Sequence, residues 1–475
     1  MGRTNRRLRV PAVAFALALG TTAVMVAGSG SPAWAGIPKH VGYLGGVSCA
    51  SPSDCVAVGT NRSLTSAIIT TTSSGTHWAN RRVPSGFGPV GVSCVGDSDV
   101  CVAVGRDGFA GAISISSDGG ASWGSLTIPS GVSVLNGVSC ASTSDCVAVG
   151  QVDDADGVIV STTDGGASWT ADTVPDGVFD LYGVSCASPS DCVAVGDALP
   201  GGDNTPGVQI VLTTADGGTT WTSQLPPSDG GNLEAVSCAS TTNCIAVGQN
   251  SDGAVILSST DGGATWTSQA VPGGANSLGG VSCPSVTDCT AGGTTNPGFT
   301  GLVVATTDGG TSWVSQSVPA KVANVTGASC ASISSCYAVG YNGTSPAKGY
   351  AFQTPLIVAC RQAKQTATQP LTLSKCGPVS KLDTSSTMTI NSGTETGSFT
   401  ATLTWTTSGQ TTLFSASATS PGQGACAAGN TEYDYTGTVT GGTSTYTTNE
   451  SPVAYSLCQT PSNRWSLVPS TTATL

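Results

Sequence analysis

The stretch Thr162-Thr163-Asp164-Gly165-Gly166-Ala167-Ser168-Trp169 decides the fold of this 475-residue chain, because five near-identical copies of it occur. A second motif, Val-Ser-Cys-Ala-Ser-x-x-Asp-Cys-x-Ala-Val-Gly, precedes each copy and occurs seven times. Its first cysteines are Cys49, Cys94, Cys140, Cys186, Cys238, Cys283 and Cys330. The period of 45 to 52 residues is the length of a four-stranded propeller blade. The sequence therefore predicts an all-β chain with a seven-bladed β-propeller over residues 36–355.

The third repeat shows how one blade is built. Residues 135–140 are mostly small and predict the innermost strand, which crowds around the propeller axis. Residues 146–150 alternate on a period of two and predict the second strand, and residues 157–162 predict the third. Asp164-Gly165-Gly166 predicts a turn into the outer strand, which begins at Ser168-Trp169.

The paired cysteines lie six residues apart in six repeats and seven apart in the second repeat. Two strands joined by a short antiparallel turn bring such positions opposite each other, within reach of a disulfide. We therefore expect one disulfide per blade: Cys49–Cys55, Cys94–Cys101, Cys140–Cys146, Cys186–Cys192, Cys238–Cys244, Cys283–Cys289 and Cys330–Cys336. The chain has only two histidines, His40 and His77, which disfavours zinc ligation by these thiols.

The Thr/Ser-x-Asp-x-Gly-x-Thr/Ser-Trp pattern resembles the Asp-box of the bacterial neuraminidase repeat (BNR) propellers. The resemblance implies a structural role for its aspartates, which are Asp118, Asp164, Asp216, Asp261 and Asp308. A sixth copy has Ser73 where the aspartate belongs. The expected turn has the carboxylate accepting backbone N–H groups, glycines at positive φ, and tryptophan packed between blades.

Ring closure is predicted from the chain ends of the propeller. The seventh repeat has no Asp-box and no clear outer strand, whereas Ile37-Pro38 precedes the first repeat as Val174-Pro175 precedes the fourth. We expect the N-terminal segment to supply the missing outer strand of blade seven. Six blades with an extra hairpin is the alternative.

The loops that differ between repeats point to a binding surface. In such propellers both repeated motifs lie on one face, and the second-to-third-strand and blade-to-blade loops lie on the other. These variable loops hold Arg62 and Arg106 in the first two blades, and the candidate ligand-binding acids Asp153, Asp154, Asp156, Asp197 and Asp203 in the next two. Asp153, Asp154 and Asp156 are candidate Ca²⁺ ligands. Acidic loops that only maintain solubility are the alternative.

The resemblance to BNR propellers raises sialidase activity, which the residue inventory excludes. Sialidases use three arginines from separate blades and a tyrosine–glutamate pair. Here the propeller arginines are confined to the first two blades, and Glu234 is its only glutamate. The sequence favours a protein without catalytic activity. A carbohydrate-active enzyme other than a sialidase, with Glu234 or loop aspartates in its site, is the alternative. No cofactor is expected. The repeats also resemble propellers of photosystem II assembly factors, which implies that such propellers can be non-catalytic binding platforms.

An export signal is predicted over residues 1–35. Arginines precede an apolar run over residues 11–28, and Ala33-Trp34-Ala35 has the pattern of a cleavage site. Arg6-Arg7 leaves twin-arginine export open beside ordinary secretion. Removal of this segment takes four arginines and no acids, so the formal charge falls from −12 to −16. Such acidity disfavours nucleic acid, and no later apolar run spans a membrane. We expect a secreted bacterial monomer, free or loosely held at the cell wall.

Residues 356–475 are rich in threonine and serine and lack the repeat. Residues 398–406 alternate strictly between apolar and hydroxyl side chains, which predicts a small β-sandwich. Its cysteines allow three pairings, of which we favour Cys360–Cys376 with Cys426–Cys458. The leading functional prediction is non-catalytic binding of a surface glycan or protein through the variable loops. A structural surface protein without a specific ligand is a further alternative.

Overall fold

The computed structural model describes residues 37–474 except 153–155, 199–206, 228–229, 317, 334, 355–358, 367–368, 378–384, 394–397, 406–410, 420–430, 443–451, 460–464 and 468–472. The predicted export signal therefore lies outside the described residues. The described residues form β-strands, turns and irregular segments without any helix. No described helix is thus available to cross a membrane.

Seven antiparallel sheets follow one another along the chain as the blades of a propeller. Blade one has β1 (Val41–Cys49), β2 (Cys55–Asn61), β3 (Ser66–Thr71) and β4 (Ala79–Arg81). Blade two has β5 (Phe87–Cys94), β6 (Cys101–Asp107), β7 (Ala110–Ser116) and β8 (Gly124–Leu126). Blade three has β9 (Val132–Cys140), β10 (Cys146–Val152), β11 (Asp156–Thr162) and β12 (Thr170–Ala171). Blade four has β13 (Val178–Cys186), β14 (Cys192–Ala198), β15 (Val208–Thr214) and β16 (Thr222–Gln224).

The remaining blades repeat this order. Blade five has β17 (Asn232–Cys238), β18 (Cys244–Asn250), β19 (Gly253–Ser259) and β20 (Thr267–Ser268). Blade six has β21 (Ala275–Ser282), β22 (Cys289–Thr295), β23 (Gly301–Thr306) and β24 (Val314–Gln316). Blade seven has β25 (Asn324–Ser332), β26 (Ser335–Tyr341) and β27 (Gly349–Gln353). The prediction of seven blades is confirmed.

The predicted disulfide of every blade is present. In each pair the two Cα atoms lie 3.9 to 4.1 Å apart, and the two cysteines flank the same short turn between the first and second strands. The first and second cysteines are direct partners across the two inner strands, as Cys140 and Cys146 show. Each disulfide therefore fixes the end of the inner hairpin of its blade.

The core lies between blades rather than within them. Alternate residues of each sheet face the preceding and the following blade. Between blades three and four, Val149 and Ile159 pack against Leu181 and Ile210, and Trp221 joins the same cluster. The tryptophans of the repeated motif thus fill the space between neighbouring blades, as predicted.

A ring of hydrogen bonds links the inner strands. The serine before each first cysteine accepts the N–H of the first cysteine of the following blade, at 2.8 to 3.1 Å. The seventh bond joins the ends of the ring, from Cys49 N–H to Ser329 Oγ at 3.0 Å. These bonds explain why Val-Ser-Cys recurs, because the serine serves two blades at once.

The prediction that the N-terminal segment completes blade seven as a fourth strand is wrong for the described residues. The seventh sheet has three strands, and Pro38 O accepts the N–H of Val41 in a turn that leads directly into β1. Ile37 instead packs against the cluster that contains Tyr337 and Val339 of blade seven. The segment therefore closes the ring by apolar packing.

The C-terminal strands form one antiparallel sheet. They are β28 (Ala359–Thr366), β29 (Gln369–Gly377), β30 (Ser385–Gly393), β31 (Ser398–Trp405), β32 (Thr411–Thr419), β33 (Thr431–Gly442), β34 (Pro452–Gln459), β35 (Trp465–Leu467) and β36 (Ala473–Thr474). β28, the first of these strands, pairs with both β29 and β35, so strands from the two ends of this region are neighbours in the sheet. These pairings do not divide into two facing sheets, and the β-sandwich prediction is not confirmed. Cys360 and Cys376 are partners across β28 and β29, whereas Cys426 lies outside the described residues.

Candidate functional site: the variable face and the channel mouth

The two faces of the propeller are formed by different turns of the blades. On the cysteine face, defined by the cysteine turns and the aspartate turns, the two turns of a blade are hydrogen-bonded to each other. In blade three, Gly165 N–H donates to Ser144 O at 3.0 Å, and blade four has the equivalent bond from Gly217 N–H to Ser190 O at 3.1 Å. The variable face holds the turns between second and third strands and the connections between blades. The repeated residues thus lie together on one face.

The aspartate turns use their carboxylates internally. Asp164 Oδ1 accepts the Ser168 N–H at 2.9 Å and the Thr162 hydroxyl at 2.8 Å, while Oδ2 accepts the Ser168 hydroxyl. Gly165 and Gly166 have φ of 72° and 83°, which favours glycine there. The hydrogen bond from the Ser168 hydroxyl is the main cause that lowers the pKa of Asp164 to about 2. These carboxylates are therefore occupied in forming the turn.

A central channel of about 530 Å³ runs along the inner strands. One position of each inner strand, between the buried residue and the small residue of the motif, contributes a different side chain to this channel. The seven residues at this position are Gly45, Val90, Asn136, Tyr182, Glu234, Gly279 and Thr326. Because these residues vary within an otherwise repeated strand, the side chains that line the channel differ from blade to blade.

Three carboxylates of blades four and five interact with one another beside the channel, which Glu234 lines, and we call this group the acidic mouth: Asp180, Asp197 and Glu234. Asp180 and Asp197 are direct partners on β13 and β14 of blade four. Glu234 belongs to β17 of blade five and accepts a hydrogen bond from Asn232 Nδ2 at 2.5 Å. Asn136 of blade three donates to Asp180 Oδ1 at 2.9 Å. Three blades thus contribute to one polar cluster.

Burial raises the pKa values of all three carboxylates of the acidic mouth, and repulsion by Asp197 adds to this at Asp180 and Glu234. Burial, followed by the negative charge of Asp197, raises the pKa of Asp180 to about 7. Burial also raises the pKa values of Asp197 and Glu234, and Tyr182 opposes this at Asp197 by a hydrogen bond. The same surroundings raise the pKa of the Tyr182 hydroxyl. The cluster therefore holds protons more tightly than solvated carboxylates do.

The structure brings only part of the predicted site together. Asp197 joins the acidic mouth, whereas Asp156 is exposed at the start of β11. Arg62 and Arg106 are exposed on blades one and two. Asp153, Asp154 and Asp203 lie outside the described residues. No group of three or more His, Cys, Asp or Glu side chains placed to hold a metal occurs in the described part of the chain.

Sequence reasoning did not single out Tyr182, Asn136, Asn232 and Gln209. The first two occupy the variable inner-strand position, so the signal that could have found them is a non-repeating residue inside a repeated motif. Gln209 gives no such signal, because its importance comes from its place beside Asp197 across β14 and β15.

Comparisons with known proteins establish the fold and no more. No protein-family model and no curated protein matches the sequence. Among solved structures, U3-55K is similar at 12% identity and a TM-score of 0.51, with 69% of this chain and 100% of that chain covered. At this identity the likeness supports the propeller fold alone. The resemblance to BNR repeats accordingly rests on the motif.

Two further solved structures are similar with lower TM-scores. The structure of YCF48 bound to D1 peptide has 17% identity, a TM-score of 0.47, and coverage of 66% of this chain and 94% of that chain. The GH74 enzyme of Niastella koreensis has 14% identity, a TM-score of 0.40, and coverage of 82% and 91%.

Proposed function

We propose that this chain is an exported, non-catalytic binding propeller that recognises an extracellular protein or glycan through its variable face. The observation that carries the proposal is the unequal use of the two faces. The cysteine face is formed by the disulfides and the aspartate turns, whereas the variable face holds the side chains that differ between blades. A rigid scaffold with variable loops on one face is the usual arrangement of a binding surface.

Exposed apolar side chains on that face support binding. Phe109 is 100% exposed and Leu64 is 85% exposed, both in turns between second and third strands. Phe299 occupies the same kind of turn in blade six and is 65% exposed. Arg62 and Arg106 lie close in sequence to Leu64 and Phe109. Exposed aromatic and arginine side chains are typical of binding surfaces.

Charge is segregated across the variable face in a way that suits a specific partner. No lysine, arginine or histidine occurs between Arg106 and Lys321, a span that contains the whole of blades three to six. Blades one and two contribute Arg62 and Arg106, while blades four and five form the acidic mouth. A flat anionic membrane would repel the acidic half of this face, so a protein or glycan partner fits better.

Export is part of the proposal. Seven disulfides fit an oxidising compartment, and the predicted signal over residues 1–35 supplies the route. We place the boundary of the C-terminal domain at residues 355–356 and assign the partner-binding surface to the propeller.

A carbohydrate-active enzyme is the second candidate, and one observation favours it. Burial and two neighbouring carboxylates raise the pKa of Asp180 to about 7, and a carboxylic acid of this kind is suited to general-acid catalysis. Retention of glycan binding with release of reducing sugar would support this candidate over pure binding.

The binding proposal is tested by co-sedimentation of the full chain with cell-wall fractions and by a screen of extracellular proteins and glycans. We expect Phe109→Ser combined with Arg106→Ala to lower retention at least tenfold. The matched control is Val286→Ser on the cysteine face, where Val286 is 49% exposed. Equal losses in both variants, or no loss in either, would contradict a binding site on the variable face.

A further inference from the structure

We propose that a crevice between blades four and five, open on the cysteine face, binds a neutral hexose unit. We call it the inter-blade crevice, and its lining includes Asp191, Thr213 and Thr222 of blade four and Thr241 and Asp261 of blade five. The inference goes beyond the proposed function, because this site lies on the face opposite to the variable loops. It follows from the volume of the crevice, from hydroxyl groups without internal partners and from the charge of the lining.

The inter-blade crevice is much larger than its counterpart one blade earlier. Its volume is about 410 Å³, within the range of about 300 to 1,000 Å³ that small-molecule sites have. The corresponding gap between blades three and four has a volume of about 10 Å³, which is room for one water at most. Thr163 lines that smaller gap, whereas Ala215 occupies the same motif position in the inter-blade crevice. The five other copies of the turn, the one with Ser73 included, have threonine or serine at this position.

Two hydroxyl groups of the crevice have no internal partner. Thr213 and Thr222 are cross-strand partners on β15 and β16, and neither hydroxyl forms a hydrogen bond with another described residue. In blade three the equivalent hydroxyls are used within the blade. Ser161 Oγ donates to Asp172 Oδ1 at 2.7 Å, and Thr170 Oγ1 donates to Ser161 O at 3.5 Å. The hydroxyls of blade four are therefore available to a ligand.

One difference in sequence accounts for the free hydroxyl of Thr213. Blade four has Gln224 where blade three has Asp172, which accepts the equivalent hydroxyl. Gln224 Nε2 donates instead to Gly263 O of blade five. The side chain that could have bonded to Thr213 is thus engaged with the neighbouring blade.

Asp191 adds an acceptor that is not occupied. Its Oδ2 accepts the hydroxyls of Ser188 and Ser190 at 2.5 and 2.6 Å, while no described residue donates to its Oδ1. The carboxylates of Asp216 and Asp261, by contrast, are both used in their aspartate turns. One free carboxylate oxygen beside free hydroxyls suits a sugar, because each sugar hydroxyl can both donate and accept a hydrogen bond.

The charge of the lining favours a neutral ligand. Hydrogen bonds from neighbouring hydroxyls lower the pKa values of Asp191, Asp216 and Asp261, so all three carboxylates stay ionised at neutral pH. Blades three to six contain no lysine, arginine or histidine that could attract an anion. A metal ion is disfavoured because no group of three His, Cys, Asp or Glu side chains in the described residues is placed to hold one.

The test is calorimetric titration of the full chain with cellotetraose, maltotetraose and mannotetraose, which are neutral chains of hexose units. We expect at least one of them to bind, and Ala215→Thr should weaken that binding at least tenfold because the larger side chain fills the crevice. Threonine occurs at this position in other blades, so the variant should fold. Thr163→Ser in blade three is the matched control and should leave the affinity unchanged. No binding of any tetrasaccharide, or equal affinities of Ala215→Thr and the wild type, would overturn the proposal.

A second variant tests the free hydroxyls directly. Thr222→Val keeps the shape of an exposed side chain and removes its hydroxyl, so we expect the affinity to fall at least threefold. Thr170→Val makes the same change on the outer strand of blade three and should have no effect on sugar binding. Equal affinities in these two variants would contradict recognition by the hydroxyls of blade four.

The source and the charge of the ligand are separated by further probes. Binding of free glucose or mannose as tightly as the tetrasaccharide would identify the source as a free sugar, and at least tenfold weaker binding would identify a glycan chain. Spermidine binding that is tighter than that of every tetrasaccharide and is lost in Ala215→Thr would overturn the proposal in favour of an amine.

One comparison separates this inference from the proposed function. The variant with Phe109→Ser and Arg106→Ala should bind the tetrasaccharide as tightly as the wild type, because both changes lie on the variable face. Loss of sugar binding in that variant would place the sugar on the variable face and overturn the crevice. Loss of sugar binding in Ala215→Thr, with retention of the partner of the variable face, would support two separate sites on opposite faces.

Discussion

At the scale of single residues, one position of each inner strand places a different side chain in the channel lining from blade to blade. The flanking residues are buried or small in every blade, while this position changes from glycine to tyrosine to glutamate. In blades four and five it provides Tyr182 and Glu234, and the neighbouring rung provides Asp180 and Asp197. Function can therefore differ between such propellers through few residues, without any change in the blades.

Asp180→Asn should stabilise the folded protein at neutral pH. The folded-state pKa of Asp180, about 7, is above its ordinary value of 3.8, so the folded protein binds this proton more tightly than the unfolded chain. The favourable contribution is therefore complete below about pH 4 and is lost as pH rises to about 7. Because the carboxyl is partly exposed, we expect a gain of roughly 1 to 2 kcal/mol at pH 8.

Denaturant unfolding of both proteins at pH 5 and pH 8 checks this expectation. The difference in unfolding free energy between the variant and the wild type should be large at pH 8 and small at pH 5. A variant that loses stability at pH 8 would show that the Asn136 hydrogen bond to Asp180 needs a carboxylate.

At the scale of the blade, the cysteine turn and the aspartate turn both hold the ends of short strands together on the cysteine face. The first is closed covalently and the second by hydrogen bonds to one carboxylate. Blade one shows the minimum requirement, because Ser73 Oγ accepts the His77 N–H at 3.1 Å in place of the aspartate. Thr71 Oγ1 still accepts the Gly75 N–H at 3.2 Å. The turn therefore depends on the threonine and glycine as well as on the aspartate.

Removal of one disulfide should destabilise the protein modestly. Cys140→Ser combined with Cys146→Ser opens a loop of seven residues and should lower the unfolding free energy by about 2 kcal/mol on the chain-entropy model. Guanidinium unfolding under oxidising conditions measures this difference. Under reducing conditions the variant and the wild type should become much closer in stability. A persistent difference there would point to packing of the cysteines as the cause.

At the scale of the whole molecule, the ring is closed without a strand shared between its ends. β1 and β25 meet through the Cys49 N–H to Ser329 Oγ bond, and Tyr337 of blade seven donates to Pro52 O at 3.4 Å. Blade seven also has one strand fewer than the other blades among the described residues. The junction between blades seven and one is thus the expected place for the ring to open.

Ser329→Ala should therefore loosen the junction selectively. Loss of one buried hydrogen bond costs about 1 kcal/mol, which corresponds to roughly fivefold faster amide exchange in β1 and β25. Hydrogen exchange read by mass spectrometry measures both strands. Ser139→Ala, which removes the equivalent bond to Cys186 between blades three and four, is the control and should leave β1 unchanged. Equal acceleration in both variants would show that the ring opens without a preferred junction.

Much of the fold could be predicted because the same local sequence patterns occur in several repeats. Cysteines six or seven residues apart, an aspartate turn and alternating strands recur at one period, so seven blades and seven disulfides follow from local geometry alone. The outer strand of blade seven was mispredicted because Ile37-Pro38 resembles the end of an outer strand in composition. The structure instead packs Ile37 against the apolar cluster that contains Tyr337 and Val339, and contacts of that kind have no local signature.

The sequence by itself determined the class of fold, the disulfide pairing of the blades and the structural role of the aspartate turns, because these depend on residues near one another in the chain. Only the tertiary structure decided that Asp180, Asp197 and Glu234 lie near one another and that Gln209 lies beside Asp197. Blades four and five meet through inner strands about fifty residues apart in sequence. The closeness of such residues is set by the packing of whole sheets around the axis, and their raised pKa values follow from that burial.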